Sequence, residues 1–199
     1  MRAVLFMYDI PTTAKGCPSP CTRLQSFAAR KEYSVWLVPE GQIQKTEEIA
    51  NDLRAIGAIV DIMPVTDMTE GQLKAIAKRS IEKDAKRIRE YVEASVKTTS
   101  EKLAEARKLQ SADETNAAIR FQQTALQRAR KNLTDAESCA IGFDLTGDLA
   151  ELTQSVRKAI EARAQSFTVE KKEVREEAKG FPPESPVTVV EPAKDGTEG

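Results

Sequence analysis

The first third of the chain alternates short apolar runs with amphipathic stretches. Residues 3–8 (AVLFMY) are almost continuously apolar, which predicts a central strand buried on both faces. Two further apolar runs, residues 34–38 and 58–63, each stop at a proline and predict two more strands. Apolar residues at helical spacing predict one helix that begins at Ser19-Pro20 and a second that ends at Gly57. Residues 1–66 are therefore predicted to form a small α/β domain.

From residue 67 onward, apolar residues recur at helical spacing. Three pairs of residues have the spacing of a capping box and predict helix starts: Thr69 with Gln72, Ser111 with Glu114, and Asp148 with Glu151. The first of these helices is predicted to run to about Gln110 and to span roughly 60 Å. Long amphipathic helices joined by short breaks fold back on each other, so residues 67–168 are predicted to form an antiparallel, coiled-coil-like hairpin or bundle. Its seam is rich in Ala, Ser and Gln and needs a partner, either the first domain or a second chain.

Composition separates the last segment from the rest and narrows the functional classes. Residues 169–199 are first highly charged and then proline-rich, which predicts a disordered tail after at most a short helical extension.

The 199 residues carry 30 Lys+Arg against 31 Asp+Glu, a balance that argues against a protein that is basic throughout. The absence of histidine excludes Ser-His-Asp and Cys-His catalysis and His-ligated zinc, and it favours a non-enzymatic role. Three cysteines are too few for a disulfide scaffold, and no apolar run has the length of a membrane span. We therefore predict a cytoplasmic protein with no membrane association and no resident cofactor.

Asp9 is the one catalytic candidate with an argument from position. It stands at the C-terminal end of the first predicted strand, where α/β folds place functional groups, and a carboxylate there can bind Mg²⁺. The alternative is that Asp9 accepts hydrogen bonds from the amides of the following turn. Cys17 and Cys21 form a C-x₃-C pair, and Cys139 lies far along the chain. Because this spacing is neither a redox motif nor a zinc motif, we interpret the thiols as incidental.

Two basic runs lie on the predicted helices. The first places four side chains opposite the apolar stripe of its helix: Arg79, Lys83, Lys86 and Arg87. The second contains no acidic residue and carries Arg120, Arg128, Arg130 and Lys131. On neighbouring helices the two runs can form a phosphate-binding surface for DNA or RNA. The alternative is an ordinary solvated face with intrachain ion pairs.

Three segments of the first third carry a resemblance to known families. VLFMYDIP (residues 4–11), EYSVWLVPE (32–40) and AIVDIMPV (58–65) resemble the small ferredoxin-like CRISPR adaptation family, in which the first strand ends in Tyr-Asp-Ile/Val and a later strand reads Tyr-Ser-Val-aromatic. Their layout, together with the charged helix of residues 71–92, is also similar to the N-terminal domain of chromate-resistance regulators. The resemblance covers about residues 1–95. It implies a ferredoxin-like sheet, a homodimer, and an association with nucleic acid or with a defence or regulatory complex. In the CRISPR adaptation family the residue at the position of Asp9 is a proposed metal ligand for nuclease activity, while many members are structural adaptors.

The sequence thus predicts an α+β protein, in which a ferredoxin-like domain is followed by a long helical arm and a tail. Three functions fit this organisation. The first is a non-catalytic, nucleic-acid-associated or regulatory dimer that uses its basic arm. The second is a metal-dependent phosphodiesterase or nuclease centred on Asp9, which would use Mg²⁺. The third is an interaction scaffold that binds a partner protein through the helical arm.

Overall fold

The computed structural model of the protein describes residues 2–10, 20–32 and 34–181. A small sheet comes first and three long helices follow, so the predicted α+β class is confirmed. The strands are β1 (Ala3–Asp9), β2 (Ala29–Glu32), β3 (Val35–Pro39) and β4 (Ile59–Pro64). The helices are α1 (Pro20–Leu24), α2 (Ile43–Ala55), α3 (Glu70–Leu109), α4 (Ala112–Gly142) and α5 (Thr146–Ala178). A single 3₁₀ turn, Glu40–Gln42, precedes α2.

The sheet has the strand order β2-β3-β1-β4, and every pair of neighbouring strands is antiparallel. With α1 and α2 as the two connections, this βαββαβ order is the ferredoxin-like arrangement. The three predicted strands are present as β1, β3 and β4. The sequence did not predict β2, because Ala-Arg-Lys-Glu is short and lacks an apolar alternation. As an edge strand, β2 pairs with β3 alone.

The first face of the sheet forms a core with α1 and α2. Side chains alternate between the two faces along a strand, so Phe6 and Tyr8 of β1 point to the same side. They pack in one buried cluster with Trp36 of β3, Leu24 of α1 and Leu53 of α2. Phe6 and Trp36 are 0% exposed. These aromatic rings therefore have no free face for stacking with nucleic-acid bases, as the apolar pattern predicted.

The opposite face of the sheet is covered by the helical arm. Leu37 of β3 packs with Leu73 of α3 and with Phe143, the residue that follows α4. The contact is close, since a Cβ added to Gly142 would lie 3.2 Å from Cγ of Pro39. At this end of the arm, the partner that the thin helical seam was predicted to need is the first domain of the same chain.

The arm is a three-helix antiparallel bundle whose first two helix starts agree with the prediction. Thr69 forms the complete capping box with Gln72, and α3 runs for 40 residues. The Ser111 hydroxyl accepts a hydrogen bond from the amide of Glu114 at the start of α4. The third predicted start was wrong: α5 begins at Thr146, its N-cap is Leu145, and Asp148 lies in the first turn. Leu145 is 2% exposed in the junction with the sheet, so burial of this apolar side chain outweighs the capping pattern of Asp148.

The C-terminal helix extends beyond residue 168, where we predicted the arm to end. α5 continues to Ala178, so the charged segment that follows is helical. Arg107 at the end of α3 forms an ion pair of 2.9 Å with Glu177 near the end of α5, which ties the two helix ends together. The prediction of disorder concerns mainly residues 182–199, which lie outside the described residues. Among the helices described here, none combines the length and the apolar character needed to cross a membrane.

A polar layer interrupts the apolar contact between α3 and α4. The Thr99 hydroxyl donates to Oε1 of Gln122 at 2.6 Å, and Nε2 of Gln122 donates to the Ser95 hydroxyl at 3.3 Å. All three residues are buried, and Gln122 is 0% exposed. Each side-chain polar group of the layer thus finds a partner inside the arm, which offsets the cost of removing it from water.

Candidate functional site

The edge strand β2 is held against the first half of α3. The Ser80 hydroxyl on α3 donates a hydrogen bond of 2.8 Å to the backbone carbonyl oxygen of Arg30. The Arg30 guanidinium lies over the Trp36 ring, 5.6 Å from its centroid. The fold therefore brings Arg30 of β2 next to the basic run that the sequence predicted on α3.

Asp84 marks the centre of this basic region. Its carboxylate feels the positive charges of Arg87, Arg30 and Lys83, and Nη1 of Arg87 lies 3.7 Å from Oδ1 of Asp84. Burial nevertheless raises the pKa of Asp84, because the loss of hydration outweighs the attraction of the three cations. Three cations thus lie close enough to Asp84 to act on its carboxylate.

We call this region the α3–β2 basic surface and define it by four residues: Arg30, Arg79, Lys83 and Arg87. Arg79 and Lys83 are exposed and form no ion pair within the described residues. The sequence had placed the three α3 residues correctly on the helix surface, but it missed Arg30. Its role depends on β2 lying beside α3, and the available signal was two consecutive basic residues, Arg30 and Lys31, after two alanines.

A polar pocket of about 210 Å³ adjoins the basic surface between α3, α4 and the turn after α1. It is lined by Gln25, Asp84, Arg87, Ile88, Tyr91, Asn132, Asp135 and Ala136. At its α4 wall, Asp135 accepts a hydrogen bond of 2.7 Å from Nζ of Lys131. The pocket is thus where the two basic runs approach each other, through Arg87 of the first and Lys131 of the second.

The remaining members of the two basic runs lie apart from the pocket. Lys86 is exposed and pairs with Glu90 at 3.8 Å. Arg120, Arg128 and Arg130 are exposed, and no ion pair involves them within the described ranges. At about 100° per residue, Arg120 lies on the side of α4 that is opposite to the buried Leu126 and Leu133, and so it points away from α3. The structure therefore gathers the predicted α3 residues with β2 and leaves much of the α4 run on a different side of the arm.

Asp9 is exposed at the end of β1, opposite Ile59 of β4. Asp61 of β4 lies opposite Met7, which places Asp9 and Asp61 on the same face as diagonal neighbours. This second carboxylate was not singled out from the sequence. Within residues 2–10, 20–32 and 34–181, no group of three or more His, Cys, Asp or Glu side chains is arranged to hold a metal ion. Metal binding at Asp9 stays a prediction.

Of the three cysteine side chains, the structure describes that of Cys139. Cys139 is free and buried one turn after Asp135. Burial, with a smaller contribution from the Asp84 carboxylate, raises the pKa of the Cys139 thiol to about 12. Cys139 is therefore a packing residue at neutral pH, because the reactive thiolate is disfavoured. Cys17 and the side chain of Cys21 lie outside the described part of the structure.

Comparison with protein-family models, with curated proteins and with solved structures finds no match to this chain. The resemblance noted from the sequence motifs therefore stays a prediction, and the function is argued from the site itself.

Proposed function

We propose that this protein binds the phosphate backbone of a nucleic acid through the α3–β2 basic surface, in a non-catalytic, nucleic-acid-associated or regulatory role. The observation that carries the proposal is the convergence of Arg87, Arg30 and Lys83 around the carboxylate of Asp84, where Nη1 of Arg87 lies 3.7 Å from Oδ1. Some cations of the arm are matched by acids, as in the pairs Lys74–Asp144 and Arg157–Glu137, whereas Arg79 and Lys83 form no ion pair within the described residues. The exposed cations Arg79 and Lys83, which form no ion pair in that part of the chain, are what a phosphate group would neutralise.

Two exposed residues of the basic surface extend it along α3. Arg79 and Lys83 are one helical turn apart, so both can contact successive phosphates of one strand. Arg87 continues the same line by a further turn, and Arg30 approaches it from the sheet edge, since both act on Asp84. Such a row supplies affinity and orientation, while backbone contacts alone carry no sequence information.

The test compares two double variants that remove the same charge from the same helix. Arg79→Gln/Lys83→Gln alters the basic surface, and Lys97→Gln/Lys108→Gln alters exposed lysines on the distal half of α3. Fluorescence polarisation with a duplex and with a single-stranded oligomer, over a series of salt concentrations, gives the dependence of log K on log [salt]. Loss of two phosphate contacts lowers the magnitude of that slope by about 1.8 for duplex DNA and about 1.4 for a single strand. The distal double variant is expected to keep the wild-type slope.

Two results would refute the proposal. One is that neither oligomer binds at low salt. The other is that both double variants change the slope equally, which would indicate general attraction to a charged helix rather than a binding surface.

The family resemblance also implies a homodimer, and we include the dimer as part of the proposed role. Light scattering of the full chain over a range of concentrations tests it. A mass that stays at the 21.9 kDa of one chain would remove the dimer from the proposal.

A second candidate function is a protein-interaction scaffold, favoured by large apolar side chains left exposed on the arm. Ile141 is 67% exposed, Leu109 63% and Val169 58%. Exposed apolar residues scattered singly are common, so this candidate ranks below the first. The double variant Ile141→Glu/Val169→Glu in the full chain tests it: an unchanged light-scattering mass, alone and with a candidate partner, would argue against the arm as an assembly surface.

A further inference from the structure

The polar pocket beside the basic surface has hydrogen-bonding groups that the fold itself does not use. Among the described residues, Arg87 forms one ion pair, the 3.7 Å contact with Asp84, and that distance is too long for a hydrogen bond. The amide groups of Gln25 and Asn132 also make no hydrogen bond within the described part of the chain. A ligand in this pocket therefore meets the Arg87 guanidinium, which makes an ion pair with Asp84 but no hydrogen bond within the described ranges, together with two amides that have no partner there. It also meets two carboxylates, the half-buried Asp84 and Asp135, which already accepts a hydrogen bond from Lys131.

The dimensions of the pocket suit one small ring system. Its volume of about 210 Å³ lies below the roughly 300 Å³ at which pockets for drug-sized ligands begin. Ile88 and Tyr91 of α3 add an apolar and an aromatic wall to the polar groups. A flat ring with polar edges, such as a nucleobase, matches both the size and the mixed lining.

The Arg87 guanidinium and the Asp84 carboxylate favour guanine over the other bases. Guanine presents two adjacent N–H donors, N1–H and N2–H₂, which a carboxylate can accept together. Its O6 and N7 atoms are acceptors, and arginine binds them with two parallel hydrogen bonds. O6 is bonded to C6, the ring atom next to N1, which suits a guanidinium and a carboxylate that lie 3.7 Å apart. None of adenine, cytosine and thymine combines such a donor pair with such an acceptor pair.

We propose that the pocket binds an unpaired guanine base, with Asp84 accepting from N1–H and N2–H₂ and Arg87 donating to O6 and N7. The amides of Asn132 and Gln25 offer hydrogen bonds to the remaining polar atoms of the base, and the α3–β2 basic surface holds the flanking phosphates. The inference rests on the proposed function and deepens it, because it names a single-stranded, guanine-containing substrate. In a duplex, N1 and N2 are occupied by base pairing, so the base must be unpaired to enter.

The first experiment uses wild-type protein and single-stranded oligomers of about 12 nucleotides, within the range of single-stranded site sizes. One oligomer contains only thymine, a second has one central guanine, a third replaces that guanine by inosine, and a fourth replaces it by 7-deazaguanine. Inosine lacks the N2 amino group, and 7-deazaguanine lacks the N7 acceptor. We expect the guanine oligomer to bind about tenfold more tightly than the thymine oligomer, since a good bidentate contact discriminates bases by about that factor. Each analogue is expected to lose most of the gain.

The second experiment repeats the comparison with two matched variants. Asp84→Asn removes one of the two acceptor oxygens, and we expect it to reduce the preference for guanine to less than about threefold. Asp148→Asn makes the same chemical change at an exposed carboxylate outside the pocket and is expected to keep the full preference.

The outcomes separate this inference from the proposed function. If the thymine oligomer binds with a steep salt dependence and guanine adds nothing, the pocket proposal is overturned while phosphate binding stands. If guanine and inosine bind equally well, the assignment of Asp84 to N2 is wrong. If no oligomer binds even at low salt, the proposed function fails, and the pocket proposal fails with it.

Discussion

Replacement of Phe143 by alanine tests whether the sheet and the arm form one cooperative unit. Phe143 is 0% exposed and lies in the cluster that joins Leu37 of the sheet to Leu73 of α3. Removal of a fully buried Phe side chain costs about 3–5 kcal/mol, from lost burial and from the cavity left behind. With a urea dependence of about 2 kcal/mol/M, the unfolding midpoint is expected to fall by about 2 M.

Two spectroscopic probes follow the two parts of the chain in the same titration. Trp36 is the single tryptophan and is buried in the sheet core, so its fluorescence reports on the sheet. Circular dichroism in the far ultraviolet is dominated by the long helices of the arm. We expect the two unfolding curves of the wild-type protein to coincide and both to shift together in Phe143→Ala.

Phe121→Ala is the matched control for this experiment. It is the same substitution on α4, but the side chain is 38% exposed, and the expected cost is about 1 kcal/mol. The reasoning would be refuted if the Phe143 variant were no less stable than the Phe121 variant. It would also be refuted if Phe143→Ala shifted the helical signal and left the Trp36 signal in place.

Two further substitutions test individual buried groups. Thr99→Val leaves Oε1 of Gln122 without its donor and is expected to lower the free energy of unfolding by about 1–3 kcal/mol, measured by chemical denaturation. Thr168→Val makes the same substitution at an exposed site on α5 and is expected to have little effect. Because burial raises the pKa of Asp84, the folded protein binds a proton there more readily than the unfolded chain, and this residue's contribution to stability is lost as pH rises through the raised pKa. Asp84→Asn is therefore expected to raise the melting temperature relative to wild type at about pH 7 but not at about pH 3, and an equal gain at both pH values would contradict the sign of the shift.

Much of the fold could be predicted from the sequence because its elements carry strong local patterns. Continuous apolar runs locate β1, β3 and β4, and the helical stripe and capping box of Thr69 locate α3. What could not be predicted depends on contacts between distant segments. β2 has no apolar pattern and exists because β3 offers it a partner, and α5 begins where Leu145 is buried against the junction.

The candidate site divides in the same way. The spacing of Arg79, Lys83 and Arg87 shows from the sequence alone that they share an exposed region of α3. The pocket could not be predicted from residue spacing, because Asn132 and Arg87 line it together only through the packing of α4 on α3. A run of charged residues in the sequence therefore identifies one wall of a site, whereas the residues of the opposite wall are known only from the tertiary structure.

The polar layer of Ser95, Thr99 and Gln122 has a consequence for the pocket as well as for the arm. Apolar contacts between helices tolerate a slip by one turn, but a slip here would bury the amide of Gln122 among side chains that cannot pair with it. The layer therefore fixes the axial alignment of α3 with α4. Thr99 faces Gln122 and Arg87 faces Asn132 in one and the same alignment. A hydrogen bond three turns away along α3 thus determines which residue of α4 stands across the pocket from Arg87.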